Sequence, residues 1–198
     1  MLLQRFGFCL VVLLLLCQAC PTLPGSASVV GWVVLEECGP EQTFVRRCSQ
    51  DSSETECSAF DLGVDFYALE LFDERSGKVR LQRGGAGLHL ADALVLEFRD
   101  IRTLRGRLGE SLLIGASQSI RAALILGSTC PDSTESLVLT GQVVMSHFGT
   151  EVGDRIAGRI EFLEVRDGRE QVPDLIGVLR GEFDFRYRKG TPFEQFYR

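Results

Sequence analysis

Two histidines are the first place to look for chemistry, because imidazole is the side chain that exchanges protons near neutral pH. His89 stands just before Asp92, and a histidine held by a carboxylate beside a nucleophile would form a hydrolytic triad. The sequence contains no Gly-x-Ser-x-Gly nucleophile motif. We therefore interpret His89 and His147 as side chains of turns or strand ends, and the sequence predicts no catalytic residue.

Carboxylates gather around the turn Asp61-Leu62-Gly63-Val64-Asp65. With the nearby Asp51, Glu54 and Glu56 they could offer oxygen ligands to Ca²⁺, which takes about six to eight of them. The ligand spacing of an EF-hand loop is missing, so a solvated acidic loop explains this cluster better. We predict no metal site.

Glu161 and Asp184 fall on adjacent predicted strands and could be compared with the two carboxylates of a glycosidase. Arginines share the same predicted strand face, which favours a salt-bridged exterior instead. The sequence also lacks a P-loop and a Gly-x-Gly-x-x-Gly motif, so we predict no cofactor.

Seven cysteines occur in the chain, at positions 9, 17, 20, 38, 48, 57 and 130. The last four, Cys38, Cys48, Cys57 and Cys130, are spaced more widely than the pairs about two to four residues apart that bind zinc. An even number of cysteines in an exported domain predicts two disulfides, with three pairings open. The simplest arrangement has one bridge among the first three and one that reaches Cys130.

Composition limits the partners of the chain. With 198 residues and 45% hydrophobic residues, the chain fits one folded domain. The net charge of −6 provides no basic surface for nucleic acid, and no polybasic patch for anionic lipid.

The first twenty residues have the organisation of an export signal. One arginine, Arg5, precedes an unbroken apolar run from Phe6 to Leu16, and that run is shorter than the ~20 residues that cross a bilayer. A charged start, a short apolar stretch and small residues after it are typical of a signal peptide.

The end of this run, Leu16-Cys17-Gln18-Ala19-Cys20, resembles the lipobox of bacterial lipoproteins, in which a small residue precedes the lipidated cysteine. The resemblance implies a diacylglyceryl group on Cys20, cleavage after Ala19 and anchoring in the cell envelope. Pro21 stands where Asp would favour the inner membrane, so the outer membrane is favoured. The alternative is plain secretion into the medium or periplasm, with cleavage after Ala19 or after the stretch Ser26-Ala27-Ser28.

Three boundaries follow from these signals: a signal peptide at 1–19, a Pro/Gly/Ser-rich lipidated tether at 20–28, and a single β domain at 29–198. The domain opens on the β-branched run Val29–Leu35, which predicts a buried strand. Short apolar segments and turn residues then alternate. The best candidate for a helix is Leu88–Leu96.

The last third of the chain repeats one pattern around Gly141, Gly158 and Gly181. Apolar residues alternate with charged ones around each glycine, which predicts a three-stranded antiparallel meander with one dry face and one wet face. The glycines predict bulges or bends. The predicted core face consists of Val143, Met145, Ile160, Phe162, Phe183 and Phe185, and the predicted wet face of Arg159, Glu161, Glu182, Asp184 and Arg186.

The fold class is therefore all-β, an antiparallel β-sandwich or barrel of eight to eleven short strands. Residues 137–198 resemble the C-terminal sheets of uncharacterised Gly-rich β-lipoproteins, a likeness that implies a fold and no activity. Three functions stay open. They are a non-enzymatic envelope lipoprotein that binds a protein, glycan or lipid partner, an envelope hydrolase on a β-sandwich, and a carrier of a small apolar ligand inside a barrel.

Overall fold

The computed structural model describes residues 25–34, 60–84, 91–129, 137–168 and 173–188. Ten strands and one short helix lie within these ranges, which confirms the all-β prediction. The elements are β1 (Gly25–Val33), β2 (Phe60–Asp61), β3 (Phe66–Leu71), β4 (Gly77–Arg83), β5 (Asp92–Phe98), α1 (Ile101–Arg105), β6 (Ser111–Ile114), β7 (Ile120–Leu126), β8 (Leu137–Phe148), β9 (Arg155–Asp167) and β10 (Asp174–Arg186).

The strands form one curled sheet in the order β2-β1-β10-β9-β8-β6-β7-β5-β4-β3. β2 and β3 belong to one bent segment, because β2 pairs with β1 while β3, just beyond it in the chain, pairs with β4. β6 and β7 likewise form one segment, because β6 pairs with β8 while β7, just beyond it in the chain, pairs with β5.

Eight segments therefore follow one another around the sheet, each antiparallel to the next, and the last strand, β10, pairs with the first, β1. The backbone bonds Leu62 N to Val29 O (3.0 Å) and Asp65 N to Gln82 O (3.0 Å) join the β2–β3 segment to both of its neighbours. The sheet is thus strongly curled, with its two edge strands, β2 and β3, in one bent segment, and we call it the barrel below. This agrees with the antiparallel barrel or sandwich that the sequence predicts.

The alternating strand directions give the barrel two ends. The Gly25 end holds the start of β1, the end of β10, and the β3–β4, β5–β6 and β8–β9 connections. The Val33 end holds the end of β1, the start of β10, and the β4–β5, β7–β8 and β9–β10 connections. This division determines which loops are neighbours.

Apolar side chains from all eight segments fill the interior, as an eight-stranded barrel allows. The largest fully buried ones include Phe98, Leu81, Leu94, Leu124, Met145, Ile160 and Leu163. α1 covers the Gly25 end, since Ile101 and Leu104 share one helix face and are both buried in the core. Asp100 caps this helix by accepting a hydrogen bond from the Thr103 backbone N–H at 3.0 Å.

The predicted meander is confirmed, with β8, β9 and β10 adjacent and antiparallel. The glycines are not opposite one another: Gly141 pairs with Leu163, Gly158 with Met145, and Gly181 with Ile160. Instead they flank bulges in the neighbouring strands. The register shifts at Glu161-Phe162, between Gly141 and Gly181, and at Ser146, beside Gly158. A bulge places one extra residue in one strand and bends it.

The bulge in β9 makes the prediction wrong for one residue of the core face. Val143, Met145, Ile160, Phe183 and Phe185 are buried as predicted, but Phe162 is only half-buried. The extra residue shifts the alternation by one position, so Leu163 takes the inward place expected for Phe162. The predicted wet face is otherwise confirmed, because none of its charged residues is buried.

Two further expectations differ from the structure. β1 begins at Gly25, and Gly25–Ser28 pair with Phe185–Glu182, so the sheet includes residues assigned to the tether. The described part of the predicted helix, 91–96, lies in β5 and the residue before it rather than in a helix. β5 alternates between buried residues (Leu94, Leu96 and Phe98) and half-buried ones (Val95 and Glu97). Its outward residues Ala93 and Val95 are also apolar, so the sequence shows a continuous apolar run that hides the alternation.

The outer face differs between the two sides of the barrel. On the meander wall (β1, β8, β9 and β10) it is exposed and charged. On the short-strand wall (β3, β4, β5 and β7) four outward-facing residues are buried: Phe66, Arg80, Gln82 and Ala93. Burial lowers the pKa of Arg80, and Glu70, whose Oε2 lies 3.9 Å from Arg80 Nη2, opposes that effect.

Candidate functional site

A polar groove of about 410 Å³ crosses the outer face of the meander wall in the half nearest the Gly25 end. We call it the outer groove. Its walls are formed by Ser26, Val144, Ser146, Arg155, Ala157, Gly158, Arg159, Glu182, Phe183 and Asp184. The alternation of β1, β9 and β10 turns the polar members of this set outward, while the core residues of the same strands point into the barrel.

An arginine and an aspartate form the strongest contact in the groove. Arg155 Nε lies 2.9 Å from Asp184 Oδ1, and Arg155 Nη2 lies 2.6 Å from Asp184 Oδ2, which is the two-pronged geometry of a guanidinium on a carboxylate. The hydrogen bond from Arg155 lowers the pKa of Asp184, and the same bond raises the pKa of Arg155. Both groups therefore stay ionised through the neutral range and neither can exchange a proton there.

His147 lies beside this pair because of the bulge at Ser146. The bulge leaves both Ser146 and His147 exposed instead of alternating. His147 Nε2 is 3.4 Å from Arg155 Nη1, and its Nδ1 is 3.2 Å from Ser146 Oγ. The imidazole thus lies between the Ser146 hydroxyl and the Arg155 guanidinium, which is itself hydrogen-bonded to Asp184. His147 makes a smaller electrostatic contribution to the lowered pKa of Asp184.

A second pair lies further along β9. Arg159 Nη2 is 3.1 Å from Glu161 Oε1, and Ser111 Oγ donates to Glu161 Oε2 at 2.8 Å. The two carboxylates compared with a glycosidase pair, Glu161 and Asp184, are therefore bound to different arginines on the outer face. This arrangement agrees with the salt-bridged exterior that the sequence favoured. It offers fixed charges and hydrogen-bonding groups to a polar ligand.

Asp92, the carboxylate considered as a partner of His89, serves the fold instead. It is 4% exposed and accepts hydrogen bonds from the backbone N–H groups of Ser128 (3.1 Å) and Thr129 (3.0 Å) and from the Thr129 hydroxyl. These bonds hold the turn that follows β7. His89 lies outside the described residues.

The carboxylates of the acidic turn considered for Ca²⁺ also accept hydrogen bonds from backbone N–H groups. Asp61 Oδ1 accepts the N–H of Gly63 at 2.8 Å, and Asp65 accepts the N–H of Gly84 through both oxygens, at 3.1 and 3.2 Å. Within the described ranges, no three His, Cys, Asp or Glu side chains are grouped as a metal site would need. Asp51, Glu54 and Glu56 lie outside these ranges.

All the cysteines lie outside the described residues, so the predicted lipid on Cys20 and the disulfides among Cys38, Cys48, Cys57 and Cys130 stay predictions. The sequence had not singled out Arg155, Ser146 and Ser26, which the structure brings to the groove. Alternation placed Arg159, Glu182 and Asp184 on the wet face. The bulge that exposes Ser146 left no mark in the sequence other than Gly158 in the facing strand.

Across the described part of the chain, no helix combines the length and the apolar character needed to cross a membrane. The chain matches no family model, and neither the curated proteins nor the solved structures include a match. The interpretation of the site therefore depends on its geometry alone.

Proposed function

We propose that this protein is a lipid-anchored lipoprotein of the cell envelope, at the outer membrane, and a non-enzymatic binding module. The observation that carries the anchoring is the start of the barrel at Gly25, only five residues after the candidate lipidation site. An acyl chain contributes about 0.8 kcal/mol for each buried CH₂ group, and two or more chains give stable anchoring.

The outer groove supports a binding role over an enzymatic one. Asp184 in the groove is paired with Arg155, and the nearby Glu161 is paired with Arg159. In the ordinary pH range a paired carboxylate is a poor general acid or base. Exposed guanidinium, carboxylate and hydroxyl groups are suited to a polar partner, such as a protein or glycan of the envelope. The barrel interior is filled with apolar side chains, which fits a structural core better than a cavity for a carried ligand.

Metabolic labelling with palmitate tests the anchor. Wild-type protein should incorporate label and partition into detergent, whereas Cys20→Ser should lose the label and accumulate as soluble or uncleaved protein. Cys130→Ser is the matched control and should stay labelled. Mass spectrometry should find a modified N-terminal Cys20, and an unmodified terminus at Pro21 or later would refute the proposal.

The same proposal includes two disulfides, and the topology supports them. β1 and β7 both end at the Val33 end, and Cys38 and Cys130 follow those two strand ends closely in the sequence. Titration of the exported protein, unfolded without reductant, should find no free thiol, and four after reduction. Each bridge should contribute about 2–4 kcal/mol. Four free thiols before reduction, or bound zinc, would contradict this part.

A further inference from the structure

Three exposed apolar side chains lie in three different connections at the Gly25 end. Phe72 follows β3, Leu108 follows α1, and Val152 lies in the β8–β9 turn, with exposures of 52%, 40% and 65%. Side chains of this kind on separate turns do not pack against one another in the barrel. They are placed as isolated contacts with something outside it.

Two of these side chains, Leu108 and Phe72, have an ion pair beside them. Arg107 Nε is 2.8 Å from Glu110 Oε2, beside Leu108. The Phe72 ring lies 5.0 Å below Lys78 Nζ, and that ammonium is 3.1 Å from Glu70 Oε2. Ion pairs and protruding apolar side chains suit a bilayer with zwitterionic headgroups. Its surface is polar without net charge, and its interior is apolar.

The length of chain between Cys20 and Gly25 limits which end of the barrel can face the membrane. Five residue steps of about 3.3–3.6 Å reach at most ~18 Å. A strand as long as β9, with 13 residues, rises by about 40 Å along its own direction, or ~30 Å along the barrel axis at a tilt of about 40°. With the Val33 end against the membrane, Gly25 would lie beyond the reach of the tether.

We propose that the Gly25 end of the barrel lies against the lipid bilayer, with Val152, Leu108 and Phe72 in the interfacial layer. This orientation rests on the proposed lipid at Cys20. It places the outer groove close to the headgroups and turns the Val33 end away from the membrane. The partner is the bilayer surface itself, recognised by three apolar contacts rather than by net charge.

Tryptophan reporters test the orientation in the full, lipidated chain. The protein has a single tryptophan, Trp32, so Trp32→Phe provides a silent background. In that background, Val152→Trp reports on the Gly25 end and Leu175→Trp, which replaces a 43% exposed residue at the Val33 end, is the matched control. Both are reconstituted in phosphatidylcholine vesicles with and without brominated acyl chains, which quench indole within the bilayer.

We expect the fluorescence of Val152→Trp to fall in brominated vesicles and that of Leu175→Trp to stay unchanged. Quenching of both reporters, of neither, or of Leu175→Trp alone would overturn the orientation. Sedimentation with vesicles separates the two proposals, because the wild-type chain should sediment and Cys20→Ser should not. A wild-type chain that fails to sediment would refute the anchor, whereas an anchored chain with unquenched Val152→Trp refutes only the orientation.

Amide hydrogen exchange of the unaltered protein provides a second measurement, in case a reporter variant fails to fold. Vesicles should slow exchange in residues 106–110 and 149–154 and leave 173–176 unchanged. Slowed exchange that depends on protein concentration and not on vesicles would show that a second copy of the chain covers this end, which would also overturn the proposal.

Discussion

The two walls of the barrel use the same strand pairing but differ in how much of their structure is visible in the sequence. The short-strand wall has an uninterrupted register and is buried on both faces at several positions, including Arg80 and Gln82. The meander wall has one wet face and four register shifts. Alternation therefore reveals the meander strands, while bulges change which side chains they bury.

The first test compares two phenylalanines of the meander wall. Phe185 is 3% exposed and its ring centroid lies 5.1 Å from that of Tyr67, across the interior, whereas Phe162 follows the bulge and is half-buried. Phe185→Ala should lower the free energy of unfolding by about 3–5 kcal/mol. Phe162→Ala should lower it by about 1 kcal/mol. Denaturant unfolding measures both, and equal losses would mean that β9 has no bulge.

The second test compares buried and exposed carboxylates. Asp92→Ala, on the short-strand wall, leaves three donors without their acceptor in a buried turn. It should cost about 2–3 kcal/mol of unfolding free energy, and Asp92→Asn, which keeps one acceptor oxygen, should cost less. Glu161→Ala, on the exposed face of the meander wall, should change stability by about 0.5 kcal/mol or less. A larger loss at Glu161 than at Asp92 would reverse the comparison.

The third test concerns the glycines that flank the bulges. A Cβ at Gly141 would clash with the Phe162 carbonyl oxygen, a backbone atom that cannot move aside. Gly141→Ala should therefore destabilise the protein by about 1–3 kcal/mol. Gly115→Ala is the control, since its nearest contact is the flexible Gln118 side chain at 3.4 Å. Thermal melts of the two variants should differ clearly, and similar melts would contradict the close approach at the bulge.

The smallest expected effect is a pH dependence at the outer groove. The hydrogen bond from Arg155 lowers the pKa of Asp184 in the folded protein, so its stabilising contribution is present above the unfolded pKa and is lost as pH falls through the lowered value. Asp184→Asn should thus melt slightly below wild type at pH 7. The difference should begin to shrink as the pH falls below about 4 and vanish once the pH is below the lowered pKa of Asp184. A difference that grows in acid would contradict the assigned shift.

Part of the fold was predictable because it follows from local patterns. The strands of the meander, the β6 segment and the turn regions appear in the sequence as alternation and as Gly- and Asp-rich breaks. Five of the six predicted core residues are buried. The wet face with its arginines and carboxylates was predictable for the same reason, since period-two alternation needs only neighbouring residues along the chain.

The remaining features depend on contacts between residues distant in the sequence. Closure of the sheet requires β1 to pair with β10 and the β2–β3 segment to pair with two strands, which no local pattern encodes. Gly25–Ser28 look like a linker because their small polar residues acquire strand structure only when β10 provides the hydrogen bonds. The helix prediction at β5 was wrong because Ala93 and Val95 on its outer face are apolar, which hides the alternation in the sequence.

The predicted export signal, the candidate lipid on Cys20 and the even set of later cysteines depend on the sequence alone, because they are read by residue type and order. The tertiary structure decided the curled ten-stranded sheet, the outward position of Phe162 and the groove that joins Arg155, Asp184 and His147. A bulge or a barrel closure is set by which strand lies opposite, and that partner is known only when the whole sheet has formed.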